Sequence, residues 1–238
     1  MGNLFRLPRA VVSVRLATAA AVAALGVVPA AANDVVKWNA IGGQVSTVRT
    51  PEQAEIARFW FEGPGAWYRF TRAVAEARGL DLWDSARALA VVSFAMADSY
   101  IAGFRIRYVY DSWRPVTAIR EAADDGNDAT VADASWNSLQ NTPAVSDYPS
   151  TQSIFSAAAA VALAAALGTD QVAVTVTSGP PFANIKRSYA SLSQAARESA
   201  DSRIYAGIHF RSACEDGLVL GRRIGQRVAA SYLQPVRN

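Results

Sequence analysis

His209 is the only histidine in the 238-residue chain. It lies in Ser202-Arg203-Ile204-Tyr205-Ala206-Gly207-Ile208-His209-Phe210-Arg211, six residues after Arg203, in a segment that reads as a helix or a turn entering one. An imidazole can act as a ligand, a nucleophile or a proton carrier. One flanked by Ile204, Ile208 and Phe210 can equally be a ring packed in a core. Two other stretches add what an anion-binding histidine needs. Arg107 and Arg114 stand seven residues apart, with Pro115 marking a bend or break. Ser150-Thr151-Gln152 follows Asp147-Tyr148-Pro149 at the start of an alanine-rich helix. Guanidinium groups bind tetrahedral oxyanions through paired, charge-assisted hydrogen bonds, and a helix N-terminus turns free N–H groups toward the same guest. Together these pieces describe a pocket for phosphate or an analogue, with His209 placed to coordinate or attack its central atom. Singly, each has a plainer reading: Arg107 and Arg114 as surface groups, Ser150 as an N-cap, Thr151 and Gln152 as first-turn residues.

The elements that must position these residues follow from the rest of the chain. Arg6, Arg9 and Arg15 precede an apolar run from Leu16 to Val28 and then Pro29-Ala30-Ala31-Ala32. That order is expected of a secretory signal peptide cleaved after Ala32. The run is too short for a membrane span, which needs about 20 apolar residues, so no span is expected after processing. The chain has 23 basic and 20 acidic side chains. Residues 1–32 carry three arginines and no acid, which leaves residues 33–238 balanced in charge. The basic isoelectric point therefore gives no support to nucleic-acid binding, which needs a basic patch that survives processing. The single cysteine, Cys214, excludes an intramolecular disulfide and reads as a small core residue.

Residues 33–238 suit one domain. Thr50-Pro51-Glu52-Gln53 is a helix start with a capping box, and that helix should stop at Gly63-Pro64-Gly65. A second helix is expected over 66–78. A long third one over 85–110, capped by Asp84, is apolar on more than one side, which places it in the middle of a bundle. Residues 121–148 read as a long loop. Ser153 to Leu167 is an alanine-rich helix closed by Gly168, whose small side chains allow another helix close. Residues 169–177 alternate like a strand but have no evident partner and are taken as extended loop. Further helices are expected over 188–210 and 215–233. The fold class is all-α, a bundle of six or seven helices.

R-x6-R-P at Arg107 to Pro115, Y-P-S-T-Q at Tyr148 to Gln152 and S-R-x5-H at Ser202 to His209 resemble a known three-part signature. It is that of the type 2 phosphatidic acid phosphatase and vanadium-dependent haloperoxidase superfamily, usually K-x6-R-P, P-S-G-H and S-R-x5-H-x3-D. The wording from Trp113 to Arg120 and from Arg203 to Arg211 resembles its secreted bacterial haloperoxidase-like branch, and the likeness runs over about residues 38 to 233. The resemblance implies a helical bundle in which Arg107, Arg114 and Arg203, with Ser150 and the N–H of Thr151, hold the oxygens of vanadate. His209 becomes the apical metal ligand, and halide is oxidised by hydrogen peroxide. The rival of the same fold is a phosphomonoesterase that takes phosphate and uses His209 as nucleophile, and the rival of another class is a catalytically impaired oxyanion-binding or interaction protein. In each case the protein is exported, to a periplasm or beyond; its oligomeric state is open.

Three positions depart from the signature. Arg107 replaces the lysine, keeping the charge but changing its shape. Gln152 stands where the general acid–base histidine is expected in the catalytic pair with His209, and an amide carries no proton. Loss of such a group typically costs about 10²–10⁴-fold in rate. Ala213 replaces the aspartate four residues after His209, with Glu215 and Asp216 the nearest acids.

Overall fold

The computed structural model describes residues 40–127 and 130–234, so the expected signal segment lies outside the described residues. Thr50 caps α1 (Pro51–Phe59) through the reciprocal Thr50–Gln53 capping box. A 3₁₀ turn (Trp60–Glu62) leads into α2 (Pro64–Ala77). Helix α3 (Leu82–Tyr110) begins one turn before the expected start, because Asp81 rather than Asp84 is the cap: its carboxylate accepts the Asp84 N–H at 2.8 Å. Then come α4 (Pro115–Arg120), a 3₁₀ turn (Ala122–Asp124), α5 (Thr151–Leu167), strands β1 (Gln171–Thr177) and β2 (Lys186–Ser191), α6 (Leu192–Tyr205) and α7 (Arg211–Ser231).

The central helix is α5, not α3. Every residue of α5 from Thr151 to Ala160 is buried, with α2, α3, α6 and α7 around it. Its alanines carry too little bulk to keep neighbours apart, so four helices fit about one. Helix α3 buries one face through the small residues Ala88, Ala95, Ser99 and Gly103, helped by Val91, Val92 and Met96. Its second apolar side stays in solvent: Ile101 is 69% and Tyr108 89% exposed. Apolar character on two sides marks two surfaces but does not say how many are covered.

The closest helix pair is α5 with α7. Gly217, Gly221 and Gly225 recur every fourth residue on α7 and form a bare stripe facing α5. A Cβ at Gly217 would stand 2.9 Å from the Ser150 carbonyl oxygen, one at Gly225 2.6 Å from that of Ala158, and one at Gly221 would run into that of Ile154.

The chain from 169 to 191 is a hairpin, which corrects both the partnerless reading of residues 169–177 and the helical reading of residues 188–191. Strands β1 and β2 pair antiparallel, with Val174 opposite Tyr189. Val172, Val174 and Val176 face the core and alternate residues face out. Tyr189 is the one aromatic and the one buried residue in a polar β2, and it fills the same core. Helix α6 starts only after Ser191, whose hydroxyl accepts the Gln194 N–H at 3.0 Å. Arg187 ties the hairpin to α6 by a two-pronged pair with Glu198 (2.7 and 2.8 Å), and Tyr189 and Trp60 donate to the same carboxylate.

Gly221→Ala tests the α5–α7 packing. The substitution gains about 1 kcal/mol of helix propensity but forces a methyl into backbone, so urea denaturation should show a net loss of about 1–3 kcal/mol. A variant as stable as the parent contradicts the close approach.

Candidate oxyanion site

Three junctions bring the predicted residues together. At the first, α3 ends on Asp111 in the left-handed conformation (φ 35°) and α4 starts at Pro115. Arg107 therefore lies in the last turn of α3, and Arg114 is the extended residue before α4. At the second, Ser150 caps α5: its hydroxyl accepts from the Ser153 N–H at 3.3 Å and the Ser153 hydroxyl at 3.0 Å. At the third, α6 stops at Tyr205 and α7 starts at Arg211, leaving His209 in the elbow between them. Gly207 makes the elbow possible, because its φ is 75° and a side chain there would overlap the Gly42 carbonyl. The Ser150 N–H donates to the Ala213 carbonyl at 3.0 Å, joining the second junction to the third.

Arg107, Arg114, Arg203 and His209 are all buried. Arg107 donates through Nε and Nη2 to the Pro149 carbonyl, at 3.2 and 3.1 Å. Arg114 donates to the carbonyls of Val145 (2.8 Å) and Ile208. Its Nη1 also lies 3.0 Å from His209 Nε2. A guanidinium only donates, so Nε2 receives that N–H on its lone pair and the ring proton belongs on Nδ1. Four buried side-chain atoms lack hydrogen-bond partners among the described residues: His209 Nδ1 and Asp147 Oδ1, which face each other, and the donors Arg203 Nε and Thr151 Oγ1, the latter at the start of α5. Unpaired donors of this kind are what a bound oxyanion satisfies. No group of three His, Cys, Asp or Glu side chains among the described residues suits a bare cation.

Asp147, which the sequence reading quoted without assigning a role, faces the other side of the ring. Its Oδ1 stands 2.9 Å from His209 Nδ1 with both side chains buried. The contact is off the line of a regular hydrogen bond, so it acts mainly through position, with charge added only as the carboxyl ionises near pH 7. The loop holds Asp147 there: its N–H donates to the Ser112 carbonyl at 2.9 Å, and the Tyr148 N–H donates to the Ser112 hydroxyl at 3.0 Å. The nearest acids in sequence are engaged elsewhere, Glu215 with Arg197 and Asp216 with the Tyr148 hydroxyl at 2.7 Å. The Gln152 amide nitrogen donates to the Trp60 carbonyl at 2.9 Å and the Ser199 hydroxyl at 3.3 Å, which fastens α5 to the 3₁₀ turn and to α6. Cys214 is buried beside the Ser150 and Ser153 hydroxyls, and burial pushes its thiol up to about 12.

The electrostatics describe one crowded positive cluster. Burial brings Arg114 down to about 10; Asp147 opposes that shift, and Arg107 and Arg203 add to it. Burial likewise brings Arg203 down to about 10. His209 falls well below its ordinary value through burial first, then the charges of Arg114, Arg203 and Arg107. Burial raises Asp147 to about 7 against the pull of Arg114, the Phe210 N–H and Arg107. At neutral pH the arginines are charged and the imidazole is neutral.

These opposite shifts predict opposite pH slopes of stability. Below pH 6.5 the unfolded chain protonates His209 and the folded chain does not, so that group's contribution rises with pH. Above about pH 4 the unfolded chain has ionised Asp147 while the folded one keeps its proton to about 7, so that contribution falls as pH rises. In the parent the two oppose one another in the window just below pH 6.5. Asp147→Asn should therefore gain stability with rising pH relative to the parent across this window, and His209→Gln should lose it, in urea titrations. Slopes of the same sign contradict the assignment.

Comparison with known proteins bears on the family and the fold. Residues 87–238 match the family described as the VCPO second helical-bundle domain. Among solved structures, the chain is similar to the first bacterial vanadium-dependent iodoperoxidase: 31% identity, 77% of this chain, 44% of that one, TM-score 0.68. It is also similar to bacterial vanadium-dependent chloroperoxidase in its holo form (18% identity, 84% and 46% of the two chains, TM-score 0.65). The apo form of a bacterial vanadium-dependent chloroperoxidase gives 17% identity, 83% and 48% coverage and a TM-score of 0.61. The chain spans less than half the length of each of these structures. No curated protein matches. With a mostly helical fold and a family match over the larger part of its length, the chain belongs to the vanadium haloperoxidase superfamily.

Proposed function

We propose that the chain holds a tetrahedral oxyanion, vanadate in its working form, and uses it to oxidise halide with hydrogen peroxide. The observation that carries this reading is the cluster of three buried guanidinium groups around a neutral imidazole, with Arg203 Nε and Thr151 Oγ1 lacking partners among the described residues. Arg107, Arg114 and Arg203 hold the oxygens, and Thr151 and the N-terminus of α5 add uncharged donors. Vanadate supplies a Lewis-acidic centre that activates peroxide without changing its own oxidation state. His209 Nε2 would ligate it with the lone pair that otherwise accepts the Arg114 N–H, so Arg114 would turn that N–H to the oxyanion. The mainly positive lining draws anions inward. The order of residues 1–32 supports export of the chain.

A second reading, an oxyanion holder without turnover, is favoured by Gln152, whose amide neither takes up nor gives up a proton at neutral pH and is engaged with Trp60 and Ser199.

Purified protein given orthovanadate, peroxide and iodide or bromide should form oxidised halide, and His209→Ala should abolish it. Oxyanion binding with no oxidised halide and no hydrolysis of p-nitrophenyl phosphate establishes the second reading. Vanadate-inhibited hydrolysis of that ester replaces both with a phosphatase. Gln152→Ala should lower stability by about 1–3 kcal/mol in denaturant titrations while oxyanion affinity is kept, because it removes the buried amide's bonds to the Trp60 carbonyl and the Ser199 hydroxyl and leaves its space empty. A lost affinity with unchanged stability contradicts the anchoring role.

A further inference from the structure

We infer that the open face of α3 pairs with the same face of a second copy of this chain, in an antiparallel, two-fold arrangement centred on Ile101. Phe94, Ala97, Ile101, Phe104 and Tyr108 follow one another at spacings of three, four, three and four. All five are exposed on the side of α3 opposite its packed residues Ala95, Ser99 and Gly103. This is the spacing of a helix seam that meets another helix, and over fourteen steps it runs about 20 Å. Phe94 and Phe104 are each 41% exposed, less than Ile101 and Tyr108, because Phe94 rests on Tyr232 and Phe104 on Tyr100. The seam is thus braced from beneath and open above. A contiguous exposed apolar stripe of this kind marks an interaction surface.

The pattern of size and charge selects the occupant. A two-fold contact must be self-complementary, each residue meeting its counterpart across the axis. Turned about an axis at Ile101, the seam sets Phe94 beside Tyr108 of the second copy, the small Ala97 against the large Phe104, and Ile101 against itself. Asp98 and Arg105 flank the seam one heptad apart, on one side of it, and neither belongs to an ion pair among the described residues. The same rotation places each Asp98 against Arg105 of the other copy, twice over. A parallel pairing in register would instead carry the second copy's Asp98 and Arg105 to the opposite flank of the seam and leave all four charges without a cross-axis partner. The charges therefore choose the antiparallel sense.

Sedimentation equilibrium of the purified chain across low-micromolar to 100-micromolar concentrations tests this. The parent should be a dimer, and Ile101→Glu a monomer with unchanged helical circular dichroism. Asp98→Arg and Arg105→Asp should each weaken the dimer by about tenfold or more. An equimolar mixture of the two variants should restore it, because both cross-axis pairs then oppose in charge. A monomeric parent overturns the proposal, including one that binds phosphatidylglycerol vesicles through this face instead. So does a dimer indifferent to Ile101→Glu, or a mixture no tighter than its components.

Discussion

Three guanidinium groups share one interior region with a single facing carboxylate, and the surrounding structure has to make that tolerable. Unit charges a few ångströms apart repel by several kcal/mol at the effective dielectric of a protein. The chain does not cancel the charge with more acids. It spends neutral carbonyl oxygens instead: Pro149 for Arg107, Val145 and Ile208 for Arg114. Carbonyls orient a guanidinium and share its protons without neutralising it. The pocket therefore keeps a positive surplus, which holds the imidazole neutral and favours a negatively charged guest.

That arrangement depends on helices approaching more closely than ordinary side chains allow. The α7 glycines let α5 come near enough for the Ser150 N–H to reach the Ala213 carbonyl. This contact joins the helix start carrying Thr151 to the elbow carrying His209. Ala213, where the superfamily signature has an aspartate, thus contributes main chain only. The carboxylate near the ring comes from the opposite side, from Asp147 in the loop before α5.

Sequence made the charged residues legible because each group sits in a short motif of fixed spacing whose chemistry is local. Arg107 with Arg114, Ser150 with Thr151, and Arg203 with His209 need only their neighbours in the chain to be recognised. Asp147 meets its imidazole 62 residues away, and nothing in the intervening composition announces the encounter. The hairpin is hidden for a related reason: β2 is polar, and Tyr189 against Val174 is its one pairing of two buried apolar side chains. In α3 the apolar pattern revealed two faces, but which one lay inside depended on the alanines, Ser99 and Gly103 meeting α5. Gln152 shows the converse: its departure from the motif was plain in the sequence, while its anchoring to Trp60 and Ser199 required the fold.

Calorimetric titration of the purified chain with inorganic phosphate at neutral pH, at low and moderate salt, measures the surplus charge most directly. The account predicts one phosphate per chain, displaced by vanadate. Affinity should fall by about tenfold or more in Arg203→Met, the scale of a lost charge-assisted hydrogen bond. No phosphate binding by the parent, or equal affinity in Arg203→Met, would contradict the claim that these guanidinium groups are assembled to hold an oxyanion.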